Sequence, residues 1–185
     1  MTPAAQRALR LVLTLLLAAY GISCLRHPTG FRVIDNVNLP IHETGHLVFA
    51  PFGEFVTALG GTLFQLIVPA VFLGYFLTKR DRHAASVALW WIATNLWYIA
   101  VYIADARRQV LPLVGGGEHD WAYILSERGL MHRDIAIGHT VHAWGVALFV
   151  VATIWGILEA IFMKPSSDTA SVDAADPILT PVGGA

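Results

Sequence analysis

His42, Glu43 and His46 form an HExxH pentapeptide with Thr44 and Gly45. On a helix the two imidazoles lie one turn apart on the same face, so both can bind one metal ion. Glu43 stands beside them, placed to take a proton from a water that the metal activates. The stretch leads directly into Leu47, Val48, Phe49 and Ala50. A charged glutamate beside two histidines in an apolar run is costly unless it has a partner or a task. The plainer reading of the same spacing is two histidines and a glutamate on the polar edge of a helix.

A catalytic metal usually has a third protein ligand and an open position. Cys24 is the only cysteine, so a thiolate site is excluded and the ligands must be His, Asp or Glu, a set that suits zinc and also iron, manganese or copper. Asp105 is the first candidate, an acid that ends an apolar stretch; pairing with Arg108 is its alternative role. Glu54 is the second, eight residues past His46, and the pair His119-Asp120 is the third. His139 and His142, three apart, share a helix face and could hold a second metal, or serve as hydrogen-bonded histidines at a helix start.

The elements that must position these groups are apolar helices. Hydrophobic residues make up 56% of the 185, charged residues 14%, and the mean hydropathy is +0.59. These values predict an all-α integral membrane protein, with about four transmembrane helices plus a broken or re-entrant HExxH segment. A net charge of −1 gives no electrostatic basis for binding nucleic acid. The expected spans are Leu11–Leu25, read as an uncleaved helix in preference to a signal peptide, Thr62–Thr78, Ala84–Ala104 and Ile135–Met163. Arg26–Pro40 reads as a loop, and Ile41–Leu59 carries the motif, with Pro51 and Gly53 as breakers and Gly60-Gly61 as its end. Residues 1–164 form one polytopic membrane domain, and 165–185, rich in small residues, Pro and Asp, reads as a disordered tail. Gly115-Gly116-Gly117 lacks the GK[ST] of a phosphate loop and reads as a turn.

Lys79-Arg80-Asp81-Arg82-His83 is the densest basic loop and is expected in the cytoplasm, which puts the C-terminus there too, in a bacterial-type inner (plasma) membrane. If the HExxH segment spans fully, His42 lies on the Lys79 side. If it is broken, His42 and His46 enter from the other side and join His27, His119, His132, His139 and His142, with only His83 opposite. That clustering favours the broken segment.

An HExxH on an apolar segment of a multi-span chain resembles the site-2-type (M50) intramembrane metalloproteases. The resemblance implies zinc held by His42 and His46, with Glu43 as general base. It also implies a third ligand in an N-x-x-P…L-D-G motif on a later span, to which Asn95-Leu96-Trp97 through Asp105 corresponds in order, without the prolines and with Ala106 after the acid. The family's G-P-x-x-N element has an echo in Gly61-Thr62-Leu63-Phe64-Gln65. The expectation is a membrane-embedded zinc hydrolase, peptidase-like, whose substrate is a transmembrane or juxtamembrane protein segment, with membrane lipid as its surroundings. The alternative is a non-proteolytic multi-histidine membrane metalloprotein, an oxidoreductase or a metal-handling protein, which needs His139 and His142 in the centre. A purely structural membrane protein would hold no metal.

Overall fold

A computed structural model describes residues 2–30, 32–112 and 118–162. Gly115-Gly116-Gly117 and the tail from 165 to 185 lie outside them. Among the described residues all regular structure is helical: α1 (Pro3–Arg26), α2 (Asp35–Phe49), α3 (Glu54–Thr78), α4 (Arg82–Ala104), α5 (Asp120–Glu127) and α6 (Asp134–Phe162), with 3-10 turns at Ala50–Phe52 and Met131–Arg133. Four of the helices, α1, α3, α4 and α6, are long and apolar enough to cross a membrane. The protein is an all-α membrane protein.

α4 and α6 form the most extensive pairing, along a seam of small residues. A Cβ on Gly138 would stand 2.8 Å from the Ala100 carbonyl oxygen, and one on Gly145 would stand 2.6 Å from the Trp97 ring. Ala85 and Ala93 are fully buried in α4. With no hydrophobic drive between helices in lipid, such close approach supplies the packing that holds them. α1 lies against both partners: the Trp90 Nε1–H of α4 donates to the Leu17 carbonyl at 3.1 Å, Thr14 Oγ1 meets His83 Nε2 of α4 at 3.0 Å, and Gly21 stands against the Phe149 ring of α6. The aromatic residues of α4 are therefore core as much as interface, Trp97 being 1% exposed.

The HExxH segment is broken where Pro51 and Gly53 predict a break. The break is at Ala50–Phe52 and Gly53, whose φ of +94° favours glycine. Gly60 and Gly61, expected to end the segment, lie inside α3. They are there for packing: α2 folds back along α3 with Gly45 against Gly60, and a Cβ on Gly60 would stand 2.8 Å from the Gly45 carbonyl oxygen. α2 also starts earlier than expected. Asp35 to Pro40, read as loop, is helical because the Asp35 carboxylate accepts the Arg32 N–H at 2.8 Å and closes the first turn. Pro40, the sixth residue, lies inside the helix and leaves the Asn36 carbonyl without its i+4 donor.

α2, at 15 residues, is too short to cross. The Ile34 N–H donates to the Tyr20 hydroxyl at 3.2 Å, six residues before the end of α1, so the chain has turned back by about 9 Å at 1.5 Å per residue. α2 thus starts inside the bundle and climbs toward the Glu54 end of α3. The Lys79 turn is at the opposite end, where Arg10 pairs with Asp81 at 3.7 Å and Arg82 with Glu159 at 3.8 Å. His83 is on that side, and His42 and His46 on the other, as the broken-segment reading requires.

Candidate metal centre

The two histidines of α2 converge on a carboxylate of α5. His42 Nε2 lies 3.1 Å and His46 Nε2 3.4 Å from the same oxygen, Asp120 Oδ2. One ligand atom from each of the three residues falls within 4.8 Å of the others. The centre opens on a cavity of about 440 Å³, which Glu43 lines beside the two histidines. Counting from Glu54 to Gly61 along α3 at 1.5 Å per residue, the centre lies about 10 Å below that helix end.

The other ring nitrogens are held from behind. His46 Nδ1 meets the Thr57 carbonyl at 2.8 Å, so it must carry the proton. His42 Nδ1 meets Gln65 Oε1 at 3.2 Å. The direction of this second bond follows from a chain of partners. Asn95 Nδ2 donates to the Gln65 backbone carbonyl at 2.9 Å, which leaves Asn95 Oδ1 to accept from Gln65 Nε2 at 2.9 Å and Gln65 Oε1 to accept from His42. Both residues are essentially unexposed, Gln65 at 1% and Asn95 at 0%, so water cannot offer another arrangement. Each histidine therefore turns its Nε2 lone pair toward Asp120, the second-layer support that metal-binding histidines ordinarily have.

Gly61 makes room for the rings. A Cβ there would stand 2.6 Å from His42 Cε1 and 2.7 Å from His46 Nε2. Asp120 is the first residue of α5, whose N-cap is His119: its Nδ1 accepts the Ala122 N–H at 3.2 Å. Trp121 Nε1 donates to Thr62 Oγ1 at 3.1 Å and fastens α5 to α3. The Tyr102 hydroxyl donates to Asp120 Oδ2 and accepts the Asp120 N–H, both at 3.3 Å.

With protons alone to fill the gap, the group becomes an ion pair. The bond to Asp120 raises the His46 pKa to about 9, against the opposing effect of burial. Burial pushes Asp120 up, but the bonds from His42 and His46 outweigh it and hold the carboxyl at about 2. The same group could hold a divalent cation: two imidazoles with Nδ1 anchored and one carboxylate offer three ligand atoms beside an open cavity.

Asp105 is not in this group. As C-cap of α4 it turns Oδ1 to the Val110 N–H at 3.1 Å and Oδ2 to the Leu111 N–H at 2.9 Å. Its side chain lies 3.8 Å from His119 Nε2, and the His119 ring stacks on Tyr102 at 4.1 Å. Asp105 thus caps the turn after α4 and lies near His119 without a hydrogen bond to it. Arg108 is not its partner; Arg107 pairs with Asp134 at 2.7 Å. Glu54 lines the cavity without joining the three ligands. His142 lies beside Trp97, its ring 6.5 Å away, and neither it nor His139 is part of the group. Asp120, ranked behind Asp105 and Glu54 in the sequence, is the carboxylate that arrives. The one local sign was its position after an N-capping residue at the start of a short helix; nothing in the sequence shows that α5 folds over α2.

Comparison with family models, with curated proteins and with solved structures finds no match to this chain.

Proposed function

We propose that the protein is a membrane-embedded, zinc-dependent hydrolase, peptidase-like, in which His42, His46 and Asp120 hold the metal. The observation that carries this reading is the convergence of both Nε2 atoms on one carboxylate oxygen, with Glu43 on the wall of the cavity they face. Zinc, when bound there, supplies Lewis-acid activation of a water and of a carbonyl.

The chain's own residues supply the rest. Gln65 and the Thr57 carbonyl hold the Nδ1 protons of His42 and His46, keeping both Nε2 atoms free to coordinate. The Tyr102 hydroxyl steadies Asp120. Glu43, exposed to the cavity, takes the proton of the attacking water and returns it to the leaving amine. The break at Pro51–Gly53 and the turn-back before Asp35 open the centre to water about 10 Å below the Glu54 end of α3, as a hydrolase in a bilayer requires.

In the site-2-type metalloproteases that the HExxH resembles, the third ligand comes from a later span; here α5, outside the four spans, delivers it. Proteolysis of a transmembrane or juxtamembrane segment remains the reading we favour, because the HExxH glutamate is present and faces the cavity. The oxidoreductase or metal-handling alternative draws no support from His139 and His142, which stand apart from the group. We place the Lys79 turn in the cytoplasm and the Asp120 end outside, on the strength of Lys79, Arg80 and Arg82 falling within four residues.

The test is a comparison of membrane fractions from cells making the wild type or Glu43→Gln, with new protein N-termini identified by mass spectrometry. Cleavage products seen only with the wild type, both proteins holding equal zinc, are expected. Identical profiles from two equally loaded proteins would overturn the reading.

A further inference from the structure

The cavity at the metal centre has its mouth at the water end of the bundle. Pro28, Thr29 and Gly30, which follow α1, and Leu111, Pro112 and Glu118, which lie between α4 and α5, line it, and all are outside the four spans. The helices around it are tied to one another. α2 meets α3 through Gly45 and Gly60, the Trp91 Nε1–H of α4 donates to Asn38 Oδ1 of α2 at 2.8 Å, and the Trp121–Thr62 bond fastens α5 to α3. The exposed apolar residues of α2, Val37, Leu47 and Val48, do not line the cavity. One side of α2 thus suits lipid and another borders the cavity.

The size of the cavity says what shape of chain it takes. A helix with its side chains is about 10–12 Å across, so roughly one turn of it fills the 440 Å³ present. An intact transmembrane helix does not enter such a space. A helix also engages each carbonyl with the N–H four residues on, whereas an extended segment leaves its carbonyls open to attack. The extended segment has its own demand: its N–H and C=O groups need partners, which lipid does not give and a water-filled cavity does. Extended chain covers about 3.3 Å per residue, so about three residues reach from the mouth to the centre, about 10 Å below the Glu54 end of α3.

We propose that the substrate is an extended peptide segment that enters from the aqueous side, and not a transmembrane helix that enters sideways from lipid. This rests on the hydrolase reading for the word substrate, but the route and the shape of the occupant are binding properties and are tested as such. The bond presented to the metal centre then needs about three unstructured residues between it and the nearest folded domain or membrane surface. That places the sites of cleavage in juxtamembrane loops and unstructured tails on the Asp120 side of the membrane. The loops at Gly30 and Pro112 frame the mouth, so a bulky side chain on either narrows the path. Gly30 has room for one: a Cβ there stands 3.6 Å from the His27 carbonyl oxygen, an ordinary contact.

The test uses the full chain in lipid nanodiscs, zinc-loaded and carrying Glu43→Gln so that peptides are held rather than cut. One probe is a pool of water-soluble random nonapeptides, each with a benzophenone for photocrosslinking and a biotin for counting. The other places the same nonapeptides at the centre of a single polyleucine span in the same discs. The soluble pool should label the protein about fivefold more than the spanning pool. Gly30→Trp and Pro112→Trp, in the two loops of the mouth, should each cut labelling by the soluble pool about fivefold, and Leu47→Trp, on the lipid side of α2, should leave it within about twofold. Zinc content and gel-filtration profile, unchanged in the variants, separate a blocked mouth from a lost fold. Equal or greater labelling by the spanning pool, no labelling by the soluble pool, or labelling that survives both mouth substitutions would overturn the proposal. Absence of Glu43-dependent cleavage in the membrane-fraction experiment, with this labelling pattern intact, would sink the hydrolase reading alone.

Discussion

His42 and Gln65 are joined by a hydrogen bond whose direction is fixed two residues away. Asn95 donates to the Gln65 backbone carbonyl, a group that can only accept, and that sets the amide of Gln65 and then the tautomer of His42. A chain of buried polar groups thus runs from the middle of α4 through α3 to a ligand atom. Gln65→Leu removes the acceptor and leaves both the His42 Nδ1–H and Asn95 short of partners. Zinc affinity should fall about 10- to 100-fold, the usual cost of losing such a second-layer partner. Competition against a chelating dye measures it; an unchanged affinity would mean that Gln65 does not hold the ring.

Gly61 and Gly74 both lie in α3, yet a Cβ meets the histidine rings at the first and nothing within 4 Å at the second. Gly61→Ala should therefore lose most of the bound zinc, while Gly74→Ala keeps it. The two substitutions have the same effect on helix propensity, so zinc content per chain isolates the steric effect. Equal zinc in both variants would show that the rings can move aside.

These two predictions show what the sequence could and could not disclose. The four apolar helices were legible because a span imposes a length and a composition. His42, Glu43 and His46 were legible because their spacing is short and local. Gly60-Gly61 misled, since a glycine pair reads as a breaker when its neighbour is unknown, and the neighbour is Gly45 on another helix. The sequence placed Asp105 ahead of Asp120, whereas Asp120 is the acid that lies beside the histidines. Asp105 looked like an acid in need of a partner, but the backbone of its own turn supplies the partners. Asp120 reaches the histidines through tertiary packing across more than seventy residues of chain, which no local pattern records.

Acidity acts on the metal-free centre in a way whose sign can be worked out. The His46 pKa is raised from 6.5 to about 9, so its share of stability is fully present below 6.5 and is lost as the pH rises through 9. The Asp120 pKa is lowered from 3.8 to about 2, so its share is present above 3.8 and is lost as the pH falls through 2. The two are one interaction seen from either partner. Chelator-treated protein should thus be most stable between about pH 4 and 6.5, the window between the two unfolded-state values. Zinc must displace the His46 proton, so its apparent affinity should weaken about tenfold per unit as the pH falls below 9. Thermal unfolding of the metal-free form and zinc titrations at several pH values test the two statements. Zinc affinity independent of pH from 8 to 7 would remove His46 from the centre.

Asp105→Asn should retain zinc, because Asp105 reaches the centre only through His119 and the backbone after α4. The substitution weakens the bonds to the Val110 and Leu111 N–H groups, so the cost should appear in thermal stability, by about 1.5–3 kcal/mol for a lost bond to a charged group. Loss of zinc with the melting temperature unchanged would restore Asp105 as a ligand.

The central claim is that His42, His46 and Asp120 are the metal ligands, and the direct measurement is zinc per chain by elemental analysis of protein purified without chelator. The wild type, Glu43→Gln and His142→Ala should each carry about one zinc, the count of a single three-ligand site, and His46→Ala and Asp120→Ala should carry almost none. Zinc retained in Asp120→Ala, or lost in His142→Ala, would contradict the assignment.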